Sequence, residues 1–574
     1  MVDIDRRVRG LPGRRPPLGE RRIPGTVPPG TPTASPAGTS HAPSSPAEPP
    51  AAGSAAAPPA AATTPVAPPV GAPGAPAATT AGWVGPLCVL IVGSFMSVLD
   101  TSIVNIAIPR MQVDLSAATD DVEWVVTAYT LMLGVVVPAT GWLGLRLGLT
   151  RLYIFSMIGF AAGSALCGLA WNLESMVAFR VLQAVPGGVL PVVALTMLYR
   201  IVPAGKVGAA MGLYGLSIVV APAVGPTIGG ALVEYTDWRL VFFINIPIGV
   251  LGTALAAATF PRIHPTTWPK FDILGFLAVA YGLFAMLLAF AEGEDWGWTG
   301  YRILGLFVSS ALSLALFVII ELEVDNPLLD LRIFATPAYA QSLLLLAIGV
   351  TTLFSALYFL PQYLQRIQGM QEMDSGLVLL PASLILVVFM PITGRLYDRF
   401  GPRYLIAVGL LITAYGSHLL AQITPDTPKL TLEAWLAVRN LGVGLSMMPI
   451  ITNGVSSLPP ALTAAGSAMN NVVQRVASSV AIAGLGSLDT SRGAQLLSDR
   501  GLLLASGARA LPATRAASSS GPSGLAGIYT ELTRAVVTQT YANGFHIVAL
   551  LCTAGALLGL TTRSARAHRA GKAT

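Results

Sequence analysis

From Leu87 onward the chain alternates between long apolar runs and short polar breaks. The runs fall roughly at 87–109, 123–145, 151–171, 175–199, 207–233, 240–260, 271–291, 302–322, 339–364, 375–394, 403–422, 432–454, 464–488 and 542–562. Each is close to the ~20 residues an α-helix needs to cross the hydrocarbon of a bilayer. Inside lipid every backbone N–H and C=O has to be satisfied within the segment, so helices are the expected form. The breaks carry turn and stop signals: Pro203, the Gly-rich stretch 293–300, Pro337, Gly401-Pro402 and Pro459-Pro460. The pattern predicts an all-α integral membrane protein with 14 transmembrane helices.

Two stretches fall outside it. Residues 1–82 are dominated by Pro, Ala, Gly, Ser and Thr and cannot bury enough apolar area to offset chain entropy, so a disordered tail is expected. Its basic start, Arg6 to Arg22, reads as an unselected tail or as a segment drawn to anionic lipid. Residues 489–541, rich in Ser, Gly and Ala, read as a long external loop.

Composition agrees. Of 574 residues 53% are hydrophobic and only 11% charged, against about 25% charged in a soluble domain. The net charge of +6 sits mostly in tails and short loops, which argues against a nucleic-acid partner and reads as topology. With an even span count and a cytoplasmic N-terminus, the inner loops hold Arg146, Arg151, Arg200, Lys206, Arg262, Lys270, Arg332, Arg395, Arg399 and Arg403. The outer loops hold Arg110, Arg239, Arg302, Arg366 and Lys429, and a basic tail, 564–574, ends the chain inside. This bias predicts a multi-pass protein of the cell (plasma or inner) membrane with both termini cytoplasmic. The three cysteines lie within apolar runs and read as small core residues. No metal-ligand spacing, phosphate loop or catalytic constellation is present, so neither an enzyme, an ATP-driven pump nor a cofactor is expected.

Against this background an intramembrane charge is informative. Asp100 stands in Leu99-Asp-Thr-Ser-Ile-Val-Asn-Ile-Ala-Ile-Pro109, where a carboxylate costs on the order of 3 kcal/mol on insertion scales. Such groups usually face a protein interior or a watery cavity and serve protons or cations. Arg180 follows early in the fourth run, with Gln183 and Gly187 on roughly the same helical face. Arg475, beside Asn470, Asn471 and Gln474, reads as a residue snorkelling to the inner interface or as a polar member of the thirteenth run. The fifth run carries Gly212, Pro222, Gly225, Pro226, Gly229 and Gly230, and two prolines four apart among glycines suggest a bent helix at a moving interface.

These residues resemble the EmrB/QacA-type fourteen-span drug:proton antiporters of the major facilitator superfamily. The likeness covers about 87–562 and is most specific in the Asp100 segment, in Gly225-Pro-Thr-Ile-Gly-Gly230 and in Trp238-Arg-Leu-Val-Phe-Phe-Ile-Asn-Ile-Pro-Ile-Gly249. It implies a six-helix bundle at 83–262, two inserted central helices at 263–335 and a second bundle at 336–563. Asp100 and Arg180 would couple protons, and the Gly/Pro segment would shape the conformational cycle. Paired gating loops are expected at Gly141-Trp-Leu-Gly-Leu-Arg-Leu-Gly148 and Gly394-Arg-Leu-Tyr-Asp-Arg-Phe-Gly401, with Arg146, Asp398 and Arg399 as their charges. The first loop has Leu145 where the wider superfamily expects aspartate.

The function so implied is proton-coupled export of small amphipathic compounds by alternating access, with Asn105, Tyr129 and Gln183 as polar members of the substrate cavity. Protons, substrates and the lipid bilayer are its partners; some relatives also use a periplasmic adaptor protein. A dedicated exporter of an endogenous lipid, siderophore or antibiotic shares the same features, while an uptake carrier or a non-transporting sensor fits them less well.

Overall fold

The structure, a computed structural model, describes residues 82–203, 205–261, 270–507 and 522–562, all within one compact unit. The disordered tail expected before residue 82 and the basic tail after 563 lie outside the described residues. No strand occurs among the described residues.

The chain runs through α1 (Val84–Asp114), α2 (Thr119–Val122), α3 (Trp124–Val136), α4 (Thr140–Leu147), α5 (Leu149–Gly168), α6 (Leu173–Ile201), α7 (Val207–Tyr235), α8 (Leu240–Phe243), α9 (Asn245–Thr259), α10 (Ile273–Ala291) and α11 (Tyr301–Glu323). It continues with α12 (Pro337–Gln362), α13 (Glu372–Phe400), α14 (Pro402–Leu420), α15 (Lys429–Ser456), α16 (Thr463–Gly507) and α17 (Pro522–Leu560). Local chemistry sets several of these ends. Asn172 caps α6 in a reciprocal box with Ser175, and Asp272 accepts from Gly275 N at 2.9 Å to start α10. Gly148 between α4 and α5 and Gly401 between α13 and α14 turn the chain with φ of 79° and 78°, a region open to glycine at no steric cost.

Twelve helices among the described residues are long and apolar enough to cross a membrane. The fifth and thirteenth predicted runs fall on α7 and α16, two further long helices that are not among those twelve. The expected loop at 489–541 is corrected. Helix α16 continues to Gly507 and α17 begins at Pro522, so only 508–521 stands outside the described residues. Its Ala and Leu content, as in Leu502-Leu-Leu-Ala505, favours helix more than its Ser and Gly oppose it. Among the cysteines, Cys167 and Cys552 are buried as expected, but Cys88 is exposed.

Helices α1, α6 and α7 pack together with α5 and α9, and α12, α15 and α17 pack with α13, α14 and α16. Contacts between these two groups run chiefly through α7 with α13 and α16 with α6. The inserted pair sits at the side: α10 touches α3 of one group and α16 of the other, while α11 packs mainly on α10. Leu304, Val308, Leu312, Leu316 and Ile319 form an exposed stripe on α11, as suits a lipid-facing helix.

Candidate functional site

Asp100 lies sixteen residues into α1 and is fully buried. Three donors converge on its carboxylate. Arg180 Nη1 reaches Oδ2 at 2.6 Å, and Gln183 Nε2 and Asn245 Nδ2 reach Oδ1 at 2.9 and 3.0 Å. An ionised carboxylate, which only accepts, is the form complementary to this set. Helix α6 supplies Arg180 and Gln183 one turn apart, so both face α1. Arg180 is tied further: Nε donates to Val125 O at 3.1 Å and Nη1 to Gln183 Oε1 at 2.8 Å. Its guanidinium carbon stands 3.8 Å from the centroid of the Tyr129 ring, a cation–π contact that strengthens when desolvated. Gly187 makes room for this ring, because a Cβ there would meet Tyr129 Oη at 3.0 Å. Arg180 Nη2, Tyr129 Oη and Asn245 Oδ1 are buried without a hydrogen-bond partner.

The structure therefore brings Asp100, Arg180, Gln183 and Tyr129 into one cluster, but not in the roles the sequence suggested for all four. Gln183 is fully buried, with its oxygen and nitrogen both engaged by the Asp100–Arg180 pair, so it holds the ion pair instead of lining a cavity. Tyr129 is likewise fully buried. Asn105 stays apart, exposed on α1.

Two residues were missed. Asn245 also donates to Ser164 Oγ at 3.0 Å and anchors α9 to the cluster; an uncharged amide inside Phe-Phe-Ile-Asn-Ile-Pro gave little signal beyond the motif it sits in. Arg439 on α15 is fully buried and donates to Thr352 O, to Ser355 Oγ at 3.2 Å and to Asn440 Oδ1 at 3.5 Å. It was legible as a charge within the run 432–454, whose boundaries are the least sharply marked.

The Gly/Pro helix α7 is uninterrupted from Val207 to Tyr235. Toward its end Gly225 packs against Ser102, and a Cβ on Gly229 would stand 2.9 Å from the Ile103 side chain. Pro222 and Gly230 are half-buried on the same helix, and the Pro226 side chain lies outside the described residues. At its start, α7 meets α13 backbone to backbone. A Cβ on Gly208 would strike Gly394 O, one on Gly394 would strike Gly208 O, and one on Gly212 would strike Met390 O. Asp398 accepts from Gly208 N and Ala209 N, each at 3.1 Å. These are two of the N–H groups a helix start leaves unsatisfied, and the carboxylate also meets the positive end of the helix dipole. Arg399 lies 5.3 Å from the neighbouring Phe400 ring.

The matching loop of the first half has no such acid, and Leu145 is exposed there. The inserted segment braces that loop. Trp142 packs against Phe271 with ring centroids 4.5 Å apart and planes tilted by 54°, Arg146 lies 5.1 Å over Trp142, and Gly141 faces Leu328 O.

The sequence profile of the Major Facilitator Superfamily matches residues 90–482, and the chain belongs to that superfamily. It is a multi-pass membrane transporter rather than an enzyme. The lincomycin resistance protein LmrB of Listeria monocytogenes is 33% identical over 395 residues, covering 68% of this chain and 83% of its own. The tetracenomycin C resistance and export protein of Streptomyces glaucescens is 31% identical over 427 residues, 74% and 79% of the two chains. The solved structure of the proton:xylose symporter XylE aligns over 82% of this chain and 94% of its own, with a TM-score of 0.53 at 12% identity, a likeness of fold.

Proposed function

We propose that the chain exports small amphipathic compounds in exchange for protons, as a fourteen-span antiporter with both termini in the cytoplasm. The observation that carries the reading is the Asp100 carboxylate, fully buried at membrane depth and bonded to Arg180, Gln183 and Asn245. A proton arriving on Asp100 cancels the charge that holds Arg180 Nη1, so the link between α1 and α6 responds to protonation. The relatives named for lincomycin and tetracenomycin C resistance support drug export. By the positive-inside bias, the shut end where α7 meets α13 is the cytoplasmic one, and Gly141, Arg146, Gly148, Gly394, Asp398, Arg399 and Gly401 belong to its gate. Alternating access then parts α7 from α13 and exposes the cargo space inward. The membrane potential adds ~2.3 kcal/mol per inward proton per 100 mV.

Everted vesicles under an imposed pH gradient test this directly. Asp100→Asn should abolish gradient-driven accumulation while leaving downhill exchange. Full gradient-driven transport by that variant would remove Asp100 from the coupling step. A dedicated exporter of one endogenous antibiotic is the second reading, favoured by the tetracenomycin C relative. A substrate panel against a deletion strain separates the two, and co-purification of the native protein tests for an adaptor.

A further inference from the structure

Two amides donate to Asp100 Oδ1, and they are held differently. Gln183 has its own oxygen engaged: Arg180 Nη1 reaches Oε1 at 2.8 Å and the Cys167 thiol reaches it at 3.4 Å. Turning that amide over would aim its NH2 group at the guanidinium, so its orientation is fixed. Asn245 is not held that way. Its Nδ2 donates to Asp100 Oδ1 and to Ser164 Oγ, each at 3.0 Å, while its Oδ1 is buried with no partner. Ser164 in turn donates to Phe242 O at 2.8 Å. Asp100, Asn245 and Ser164 are all fully buried.

This set suits an ionised Asp100, which accepts from everything around it. A proton on its Oδ1 needs an acceptor, and both amides present N–H groups there. A buried donor left unpaired loses its solvation without compensation. The amide oxygen of the cluster that has no partner is Asn245 Oδ1. Half a turn of that amide puts Oδ1 where Nδ2 stood, 3.0 Å from Asp100 Oδ1 and from Ser164 Oγ. The carboxyl then donates to it. Ser164 donates to it as well, and withdraws its hydrogen from Phe242 O to do so. With Asp100 protonated, either orientation makes two bonds: Asn245 to Ser164 and Ser164 to Phe242 before the turn, Asp100 and Ser164 to Asn245 after it. The unturned form sets the carboxyl O–H against N–H groups. The proton therefore decides between two nearly balanced arrangements, as a two-state element requires.

The other charged and titratable groups here do not offer that acceptor. Arg180 from α6 donates to the carboxylate, Cys167 from α5 donates to Gln183, and the Tyr129 ring from α3 packs on Arg180. Tyr129 Oη is not bonded to Asp100. Helix α7 brings glycines to this stretch of α1. Arg475 on α16 is half-buried and makes no hydrogen bond to the cluster among the described residues.

We propose that Asn245 is a positioning residue that reads the charge of Asp100 by turning its amide over, and passes the state through Ser164 to the Phe242 carbonyl of α8. No proton moves except the one on Asp100; Asn245 and Ser164 keep their hydrogens. Trp238, just before α8, donates from Nε1 to Asp114 Oδ2 at 2.7 Å. Loss of the Ser164 bond thus loosens α8 from α5 and leaves it tied to the end of α1. The proposal rests on the export reading for Asp100 as the proton site, but not for cargo or direction.

The test uses the full chain in phosphatidylcholine nanodiscs, isotope-labelled at the side-chain carbonyl of asparagine. Infrared difference spectra on acidification should show one asparagine carbonyl band falling in frequency, as Asn245 Oδ1 goes from no donor to two. The band should be lost in Asn245→Met and in Asp100→Asn. A polarity-sensitive dye on Leu240→Cys, an exposed position of α8, reads the second step in a Cys88→Ser background. The parent signal should follow acidification. Ser164→Ala should stay at the acid value, because Phe242 O lacks its bond at every pH. Asn245→Met should stay at the alkaline value, because Ser164 never leaves Phe242 O. Asn245→Gln should restore part of the response. Thermal unfolding and gel filtration confirm that each variant is folded. No band shift in the parent, a shift that survives Asp100→Asn, or equal dye signals in Ser164→Ala and Asn245→Met overturns the proposal. Lost gradient-driven export in Asp100→Asn without a band shift in the parent sustains the antiport reading and refutes the relay. The full relay signature with gradient-driven export kept by Asp100→Asn does the reverse.

Discussion

The two halves place a buried arginine against their first helix, and they use it differently. In the first half Arg180 meets Asp100, with Gln183 and Asn245 completing the carboxylate's bonds. In the second half Arg439 meets Thr352 O and Ser355 Oγ on α12, with no acid among the described residues paired to it. The loops that follow α4 and α13 differ in the opposite sense. The second half has Asp398 on the start of α7, while the first half has Leu145 at the matching place and is braced by the inserted segment. A repeated scaffold thus carries a buried carboxylate at the core of one half and a helix-capping carboxylate at the end of a helix of the other.

The largest expected effect separates the two arginines. Removing one partner of a buried ion pair strands the other charge, at a cost of ~3–5 kcal/mol. Arg180→Met should therefore lower the melting temperature in detergent sharply, and the double variant Asp100→Asn with Arg180→Met should recover most of the loss. Arg439→Met strands no carboxylate and should cost much less. Equal losses at the two sites would erase the contrast between the two arginines.

Next in size is the glycine contact. Gly394→Ala places a methyl against Gly208 O, and forcing extra atoms into a filled contact costs ~1–3 kcal/mol. The closed end should open, read as faster labelling of a cysteine introduced beside the α7–α13 seam, while overall stability falls less.

Asp398→Asn should have a milder effect of the same sign, because an amide oxygen still accepts but the charge–dipole term of about 0.3–1 kcal/mol is lost. The converse change, Leu145→Asp, should slow transport by steadying the first-half loop. A faster Leu145→Asp variant would show that the brace from the inserted segment excludes a second latch.

The smallest effect concerns Glu292 after α10. Partial burial, then the like charges of Asp295 and Glu123, raise its pKa above the ordinary glutamate value. An acid raised in the folded state destabilises that state when ionised; the penalty is full above the folded pKa and fades as pH falls to the ordinary value. Glu292→Gln should raise the melting temperature by a degree or so at pH 8 and by nothing at pH 4.

Much of the fold was legible because lipid leaves few alternatives: a run of apolar residues long enough to span is a helix, and the predicted runs coincide with long helices. The α16 and α17 extensions were not legible, because their polar residues hid a helical propensity that a hydropathy argument does not weigh. In the site, Asp100 and Arg180 stood out as charges in apolar surroundings. Asn245 did not, since one amide among Phe and Ile raises no alarm until its partner is known. The helical face of Gln183 points to its meeting with Arg180 and Asp100, but a helical face says which neighbour a residue meets and not whether water reaches it.

Helix α7 touches both ends of the problem. Its first turns lie against α13 of the other half, and its later turns press Gly225 and Gly229 onto Ser102 and Ile103, two and three residues past Asp100. The α13 contact is backbone against backbone, while at the α1 contact the glycines bring the α7 backbone onto the Ser102 and Ile103 side chains. As one continuous helix, α7 would act as a connecting rod: a tilt that opens the seam at one end would displace the segment carrying the carboxylate at the other. In an antiporter of the kind proposed, the α7–α13 seam and the Asp100 cluster would be geared to each other through this one helix, and shortening or softening it should unlink them without touching either.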